Sequence, residues 1–334
     1  MALENTETVD RLNDIRQGHE QIRQFVGSIQ SALDIEREAI SALAKDVEAF
    51  QAGARVNPMP VRADALLERT GLERDPLAQQ LINWSKGVSY EVEFWDRWFS
   101  LRGGEWPDDF QARLRSDTVF SYEAVDDLGL DAPKVLDVGA GPMTTLGKIY
   151  KGSPLSITAV DPLAVIYDVL ADKYKIDRPV RTTQGFSEDL SAIFQPNSFD
   201  VVFCTNALDH SFDPMRGLEE MLLVCNIGGV VALEHQINEA EAEKYQGFHQ
   251  WNFDTDERGH FIIWNQSQHW NATEHFESMA IVQTRRTENW LTVSAKKKSS
   301  PEINMANRYR SRLQELLTAN LAAMISLSGA TIQE

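Results

Sequence analysis

The nine residues KVLDVGAGP, positions 134–142, decide the reading of this 334-residue chain. A short apolar run that ends in Asp137 and is followed at once by Gly139 and Gly141 describes a strand breaking into a tight turn. Glycine there lets the backbone approach a ligand closely at the start of a helix. A second run, SITAVD, ends in Asp161 about twenty residues later, where a carboxylate can accept both hydroxyls of a ribose. These two features suit a nicotinamide dinucleotide and a smaller adenosine cofactor equally.

Working outward, VRTT (180–183), DVVFC (200–204) and VVALEH (230–235) continue the series, with helix-compatible stretches between most of the strands. That alternation predicts a parallel sheet covered on both faces. SMAIVQTRR and NWLTVSAKK, residues 278–297, read as a closing antiparallel pair. Cys204 and Cys225 fall in apolar runs and are expected to be buried free thiols.

The third glycine of the dinucleotide pattern is replaced by Thr144, and Pro142 follows the second, which suits a cofactor with no pyrophosphate to cradle. With QGFSEDL (184–190), NSFDVVFCTNALDHSFDP (197–214) and NIGGVVALEH (226–235), the stretch from about 133 to 235 resembles the class I S-adenosylmethionine-dependent methyltransferases. The resemblance implies an α/β fold with a Rossmann-like, mostly parallel seven-stranded sheet. It implies that Gly139 and Gly141 face the methionine part, with Asp137 orienting their loop. Asp161 and Pro162 meet the ribose, Phe186 and Ser187 the adenine, and Asn206 lies beside the methionine. Phe186 stands where many relatives place an aspartate.

Methyl transfer to an alcohol needs a base in hydrogen-bonding reach, and histidine suits neutral pH. Six of the seven histidines lie between 210 and 275. His210 and His235 follow the fourth and fifth strands, whose ends flank the switch-point crevice, and His249 lies in the crowded segment YQGFHQWNF (245–253). His210, His249 and His235, with Asp209, are the candidate catalytic residues. Asp209, His210, Asp213, Glu234 and His235 also have cation-ligand chemistry, but without a dense ligand motif they read as solvated or capping groups, and no metal is expected.

Upstream, Leu12, Ile15, Ile22, Val26, Ile29, Leu33, Ile40, Leu43, Val47 and Phe50 form a seam of period 3.5, interrupted by His19 and Glu36. That pattern predicts an N-terminal coiled-coil helix and a homo-oligomer. The domains expected are a coiled coil at 1–51, a helical lid and linker at 52–132, the methyltransferase domain at 133–297 and a C-terminal helix at 298–334. The linker carries Pro58 and Pro60; the lid carries Trp84, Tyr90, Phe94, Trp95, Trp98 and Phe99, which read first as packing residues.

A formal charge of −18 would repel phosphate backbones, so nucleic acid is a poor acceptor. The start, MALENTETVDRLND, is neither basic nor apolar and no later run approaches a membrane span, so a cytoplasmic location is expected. FWDRWFSLRGGEWPDDF (94–110) together with GFHQWNF resembles methyltransferases of bacterial surface-glycan assembly and implies a sugar or glycan acceptor methylated on oxygen. The alternatives are an NAD(P)-dependent oxidoreductase and a non-catalytic coiled-coil scaffold.

Overall fold

The computed structural model describes residues 76–303 and 307–312. The coiled coil expected at 1–51 and most of the C-terminal helix lie outside them.

The sheet follows from its apolar runs. β1 (Lys134–Val138), β2 (Ser156–Asp161), β3 (Thr182–Gln184), β4 (Phe199–Thr205) and β5 (Cys225–Gln236) are the five expected strands. β1 is buried from Val135 onward and β4 almost throughout, as strands covered on both faces must be. Three strands unforeseen in the sequence, β6 (Asn252–Thr255), β7 (Phe261–Trp264) and β8 (His269–Asn271), form a small antiparallel sheet of their own. β9 (Ala280–Arg286) and β10 (Trp290–Lys297) return to the main sheet, giving the order β9-β10-β5-β4-β1-β2-β3. The neighbours from β3 to β5 pair in parallel, and β10 pairs antiparallel with both β5 and β9. Cys204 and Cys225 are buried and free.

The topology sets the position of the site. β1 sends the chain to β2 and β3 on one side, then across to β4 on the other. The carboxyl ends of β1 and β4 therefore diverge around a crevice, the usual ligand position in open α/β sheets.

Helices α1 (Pro76–Ser100), α2 (Pro107–Leu114) and α3 (Ala164–Tyr174) contribute to its wall, and α4 (Pro214–Val224) packs behind it, with Gly217 against Leu208 and Ser187. The aromatic residues expected in the lid, Trp84, Tyr90, Phe94, Trp95, Trp98 and Phe99, all fall in the 25-residue α1. Trp98 and Phe99 are buried in a cluster with Tyr167 and Leu170 of α3, and Trp84 and Trp95 pack against its edge. At its end, Arg102 at φ 51° and Gly103 at φ 102° donate their N–H groups back to Phe99 and Trp98. This left-handed finish stops the helix. Pro107 then starts α2, so the turn between the two helices ends at Trp106.

Gly87 in mid-helix has a packing reason. A Cβ there would lie 2.3 Å from Phe248 Cδ1 and 2.8 Å from the Gly247 carbonyl, so α1 rests directly on the 247–248 backbone. Gly87→Ala gains about 1 kcal/mol of helix propensity. We expect the clash to outweigh that gain, with a net loss of about 2 kcal/mol measured by denaturant unfolding. A variant more stable than the parent would show that α1 does not sit this close.

At the other end of the described chain, Tyr309 donates to Asp213 at 3.2 Å and Arg310 to Asp189 at 2.7 Å. Residues 307–312, which are helical, thus pack back on the sheet domain at the start of α4.

Candidate functional site

Gly139 closes β1 at φ +69°, and a methyl group on it would lie 2.4 Å from Ala207 Cβ, just past β4. Only glycine serves both the backbone conformation and that approach. The turn is fastened to its neighbours: Gly139 and Ala140 donate to Val160 O at 2.9 and 3.1 Å, and Thr182 Oγ1 donates to Gly141 O at 2.7 Å. Trp95 of α1 faces Gly141 from above. Between these walls lies a cleft of about 960 Å³ lined by all the residues expected at the cofactor: Asp137, Gly139, Gly141, Asp161, Pro162, Phe186, Ser187 and Asn206.

Asp161 ends β2 in that wall. Its Oδ2 accepts the Gly141 N–H at 3.1 Å and its Oδ1 the Leu163 N–H at 2.9 Å. Burial pushes its pKa up to about 7, against the pull of those two donors. Asp137 is 2% exposed and burial raises it to about 6, with Thr144, Arg113 and Lys148 opposing. Its Oδ2 has no hydrogen-bond partner among the described residues.

Beside Asp137 stands Arg113 of α2, which the sequence did not single out. Its Nε donates to Asp109 Oδ2 at 2.8 Å and its Nη1 to Met143 O at 3.1 Å, so it ties α2 to the glycine turn. Its guanidinium lies 5.9 Å from the ring centroid of Trp95 and 5.4 Å from that of Trp98.

At the other end of the cleft, Phe186 packs at 5.7 Å from Trp84 and 6.2 Å from Phe212, measured between ring centroids. Glu188 is the carboxylate next to Phe186 and Ser187 on this wall. Its Oε1 accepts the N–H groups of Phe212 (2.9 Å) and Asp213 (3.1 Å), and Ser187 Oγ donates to its Oε2 at 2.8 Å. Burial pushes its pKa up to about 7.

The wall past β4 carries the histidines. Asn206 at φ 46° accepts the Gln236 N–H at 2.9 Å and donates to Glu239 Oε1 at 3.2 Å. The turn Leu208–His210 follows, and the 245–251 segment is bound onto it by Gln250 N donating to Asp209 O (3.2 Å) and Trp251 Nε1 to Ser211 O (3.0 Å). These bonds bring His249 against His210: the two rings meet Nδ1 to Nε2 at 3.2 Å, and His249 Nδ1 lies 2.9 Å from Asp209 Oδ2. Both histidines line the cleft, while Asp209 is 1% exposed behind them.

The electrostatics of the cluster follow from that arrangement. Burial opposes the charge of Asp209, but His210 and the hydrogen bond from His249 outweigh it and hold the carboxyl below its usual range. Burial likewise opposes the His249 imidazolium. The bond to Asp209 and the charges of Asp209, Glu239 and Glu91 prevail and push it up to about 9.

His235 is the exception among the candidate catalytic residues. It points into the core with its ring 4.6 Å from Phe253, is 1% exposed, and is pushed down to about 4 by burial. It is not part of the cleft wall: side chains alternate across a strand, and its own face of β5 is turned to the core. Asp213 caps α4 by accepting the Arg216 N–H at 3.0 Å, as a capping role required.

Comparison with known proteins agrees with this geometry. Residues 136–233 match the family model described as a methyltransferase domain. The chain is 29% identical over 103 residues to a tRNA U34 carboxymethyltransferase of Helicobacter acinonychis, covering 30% of this chain and 39% of that protein. It is 30% identical over 101 residues to a chloroplastic 2-methyl-6-phytyl-1,4-hydroquinone methyltransferase of Oryza sativa, covering 30% of this chain and 28% of that one. Among solved structures, a methyltransferase of Thermotoga maritima described as a possible histamine N-methyltransferase aligns over 62% of this chain and 96% of its own, at 17% identity and a TM-score of 0.35. The chain thus carries a class I methyltransferase domain, built on a mostly parallel seven-stranded sheet, whose cofactor is S-adenosylmethionine.

Proposed function

We propose that the chain methylates a hydroxyl oxygen of a sugar or glycan acceptor, with His249 as general base. The observation that carries this reading is the Asp209–His249–His210 cluster on the wall of the cofactor cleft.

The cofactor supplies an electrophilic methyl group on a sulfonium. The residues present fit it: the unpartnered Oδ2 of Asp137 suits the methionine ammonium, and Arg113 beside it suits the carboxylate. Asp161 suits the ribose, while Phe186, Ser187 and Glu188 suit the adenine. The chain's remaining work is to place the acceptor and take its proton. With its Nδ1 proton donated to Asp209, His249 keeps Nε2 as an acceptor. That atom takes the hydroxyl proton as the oxygen attacks, and the buried carboxylate stabilises the imidazolium that results. Trp106 and Trp290 line the cleft while remaining about half exposed, at 54% and 44%, and offer flat faces for a sugar ring. Glu91, Glu93, Glu239 and Glu243 also line it, which disfavours phosphate-rich acceptors.

The test is the position of the transferred carbon. With a carbon-13-labelled methyl donor and a panel of glycosides, product NMR should show a methoxy carbon. Signal confined to N-methyl or C-methyl products would overturn the oxygen assignment.

A further inference from the structure

The three donor atoms of the cluster converge on one point. Asp209 Oδ2 lies 2.9 Å from His249 Nδ1 and 3.4 Å from His210 Nε2, and the two nitrogens are 3.2 Å apart. Around an ion with bonds near 2.05 Å, adjacent donors sit about 2.9 Å apart at octahedral angles and about 3.35 Å apart at tetrahedral ones. The three separations therefore span the edge lengths of one face of such a polyhedron. A proton on Nδ1 serves one neighbour at a time; a cation serves all three donors.

Two further oxygens nearby are unused. Asp209 Oδ1 and Glu239 Oε2 are buried with no hydrogen-bond partner among the described residues, and Glu239 Oε1 lies 4.0 Å from His249 Nδ1. Two carboxylates set against two imidazoles leave the pocket an excess of negative charge once the rings are neutral, which is the state in which they ligate. Two nitrogens and one carboxylate select transition ions over magnesium or calcium, which prefer oxygen sets. His210 and His249 both line the cleft, so an ion held here has a path from solvent.

We propose that Asp209, His210 and His249 form a binding site for a divalent transition-metal ion of the zinc, cobalt and manganese class, and that the bound ion silences methyl transfer. The first half stands on the donor geometry alone. The second rests on the proposed base, because a neutral imidazole bound through Nδ1 carries its proton on Nε2 and has no lone pair left there to take the proton of the acceptor.

The experiment uses the full chain, stripped with a chelator and titrated with Zn²⁺ or Co²⁺ by calorimetry, with Co²⁺ absorption reporting the ligand type. One ion per chain is expected, with magnesium giving no comparable heat. His249→Gln, His210→Gln and Asp209→Asn should each weaken it at least about 30-fold while S-adenosylhomocysteine still binds. The cofactor product serves as the control for an intact cleft, and three variants guard against one that fails to fold. No stoichiometric binding, or unchanged affinity in variants that keep cofactor binding, would overturn the site. Turnover is read separately and should fall in step with occupancy. If it rose instead, the site would stand, while its silencing role and the free-imidazole base would both fall.

Discussion

His249→Ala is expected to lower kcat by about 10³-fold, the middle of the range for a general base, while S-adenosylhomocysteine binds within about twofold of the parent. The separation follows from where the ring sits. His249 touches Asp209 and His210 on the wall past β4, and neither its backbone nor its ring supports the glycine turn or Asp161. Asp209→Asn should cost nearly as much, because the amide cannot stabilise the imidazolium, and the double variant should lose little more than either alone. Only the neutral ring accepts a proton. With His249 pushed up to about 9, most of it is protonated at neutral pH, so turnover should rise with pH toward that value. Asp209→Asn removes the principal support of the charged ring and should move the rising limb to lower pH. A merely structural Asp209 would lower the rate without moving the limb, and steady-state rates from pH 6 to 10 distinguish the two. Unchanged kcat in His249→Ala would remove the base.

The fold was legible where burial is two-sided and local. VLDV, DVVFC and VVALEH are largely apolar runs because their strands are covered on both faces, and a run of that kind identifies itself. β6 and β7 were missed because NFDT and FIIW span four residues each, the first broken by a charge, with DERG between them. Yet Phe253, Phe261 and Ile263 belong to the main core.

The site divides along similar lines. The cofactor wall was legible because Gly139, Gly141 and Asp161 occupy fixed places at strand ends. The acceptor wall was legible only as residue types. His235 still lies within β5 and is turned to the core by the pleat, whereas His210 lies in the turn after β4 and reaches the cleft through that turn, onto which residues 245–251 are bound. Arg113 and Trp84 reach the cleft from helices that precede β1, and Glu239 from the turn after β5. Nothing in their own neighbourhoods signals it, because the helix–sheet packing that brings them there is long-range. Gly87 is the nearest thing to a signal: a glycine in the middle of an aromatic helix costs about 1 kcal/mol and so implies a close neighbour.

Asp161→Asn should weaken S-adenosylhomocysteine about 100-fold at pH 8 and reduce the pH dependence of its binding by the part that ionising Asp161 contributes. Each carboxylate oxygen already accepts one backbone N–H, from Gly141 or Leu163, and keeps a second lone pair for a ribose hydroxyl. Two hydrogen bonds to a charged acceptor account for a loss of that order, near 2.7 kcal/mol. The amide in the variant also sets its NH₂ against one of those N–H groups, so some loss of stability accompanies the loss of affinity, and melting curves recorded beside the binding isotherms separate the two. The pH dependence has a definite sign. Burial, with Glu91 of α1 nearby, raises the free carboxyl to about 7, while His210 and the two N–H groups oppose; Tyr167 of α3 faces the same carboxyl. Ribose hydroxyls donate to the ionised form and so draw the pKa down on binding. Below pH 7 the cofactor must first expel a proton from Asp161, so that group alone should make the parent bind about tenfold more weakly at pH 6 than at pH 8, and the Asn variant should keep only the smaller dependence left by Asp137 and Glu188. A parent profile that is flat, together with an Asn variant within threefold of it, would place the ribose elsewhere and leave Asp161 as a fastener of the turn between β1 and β2.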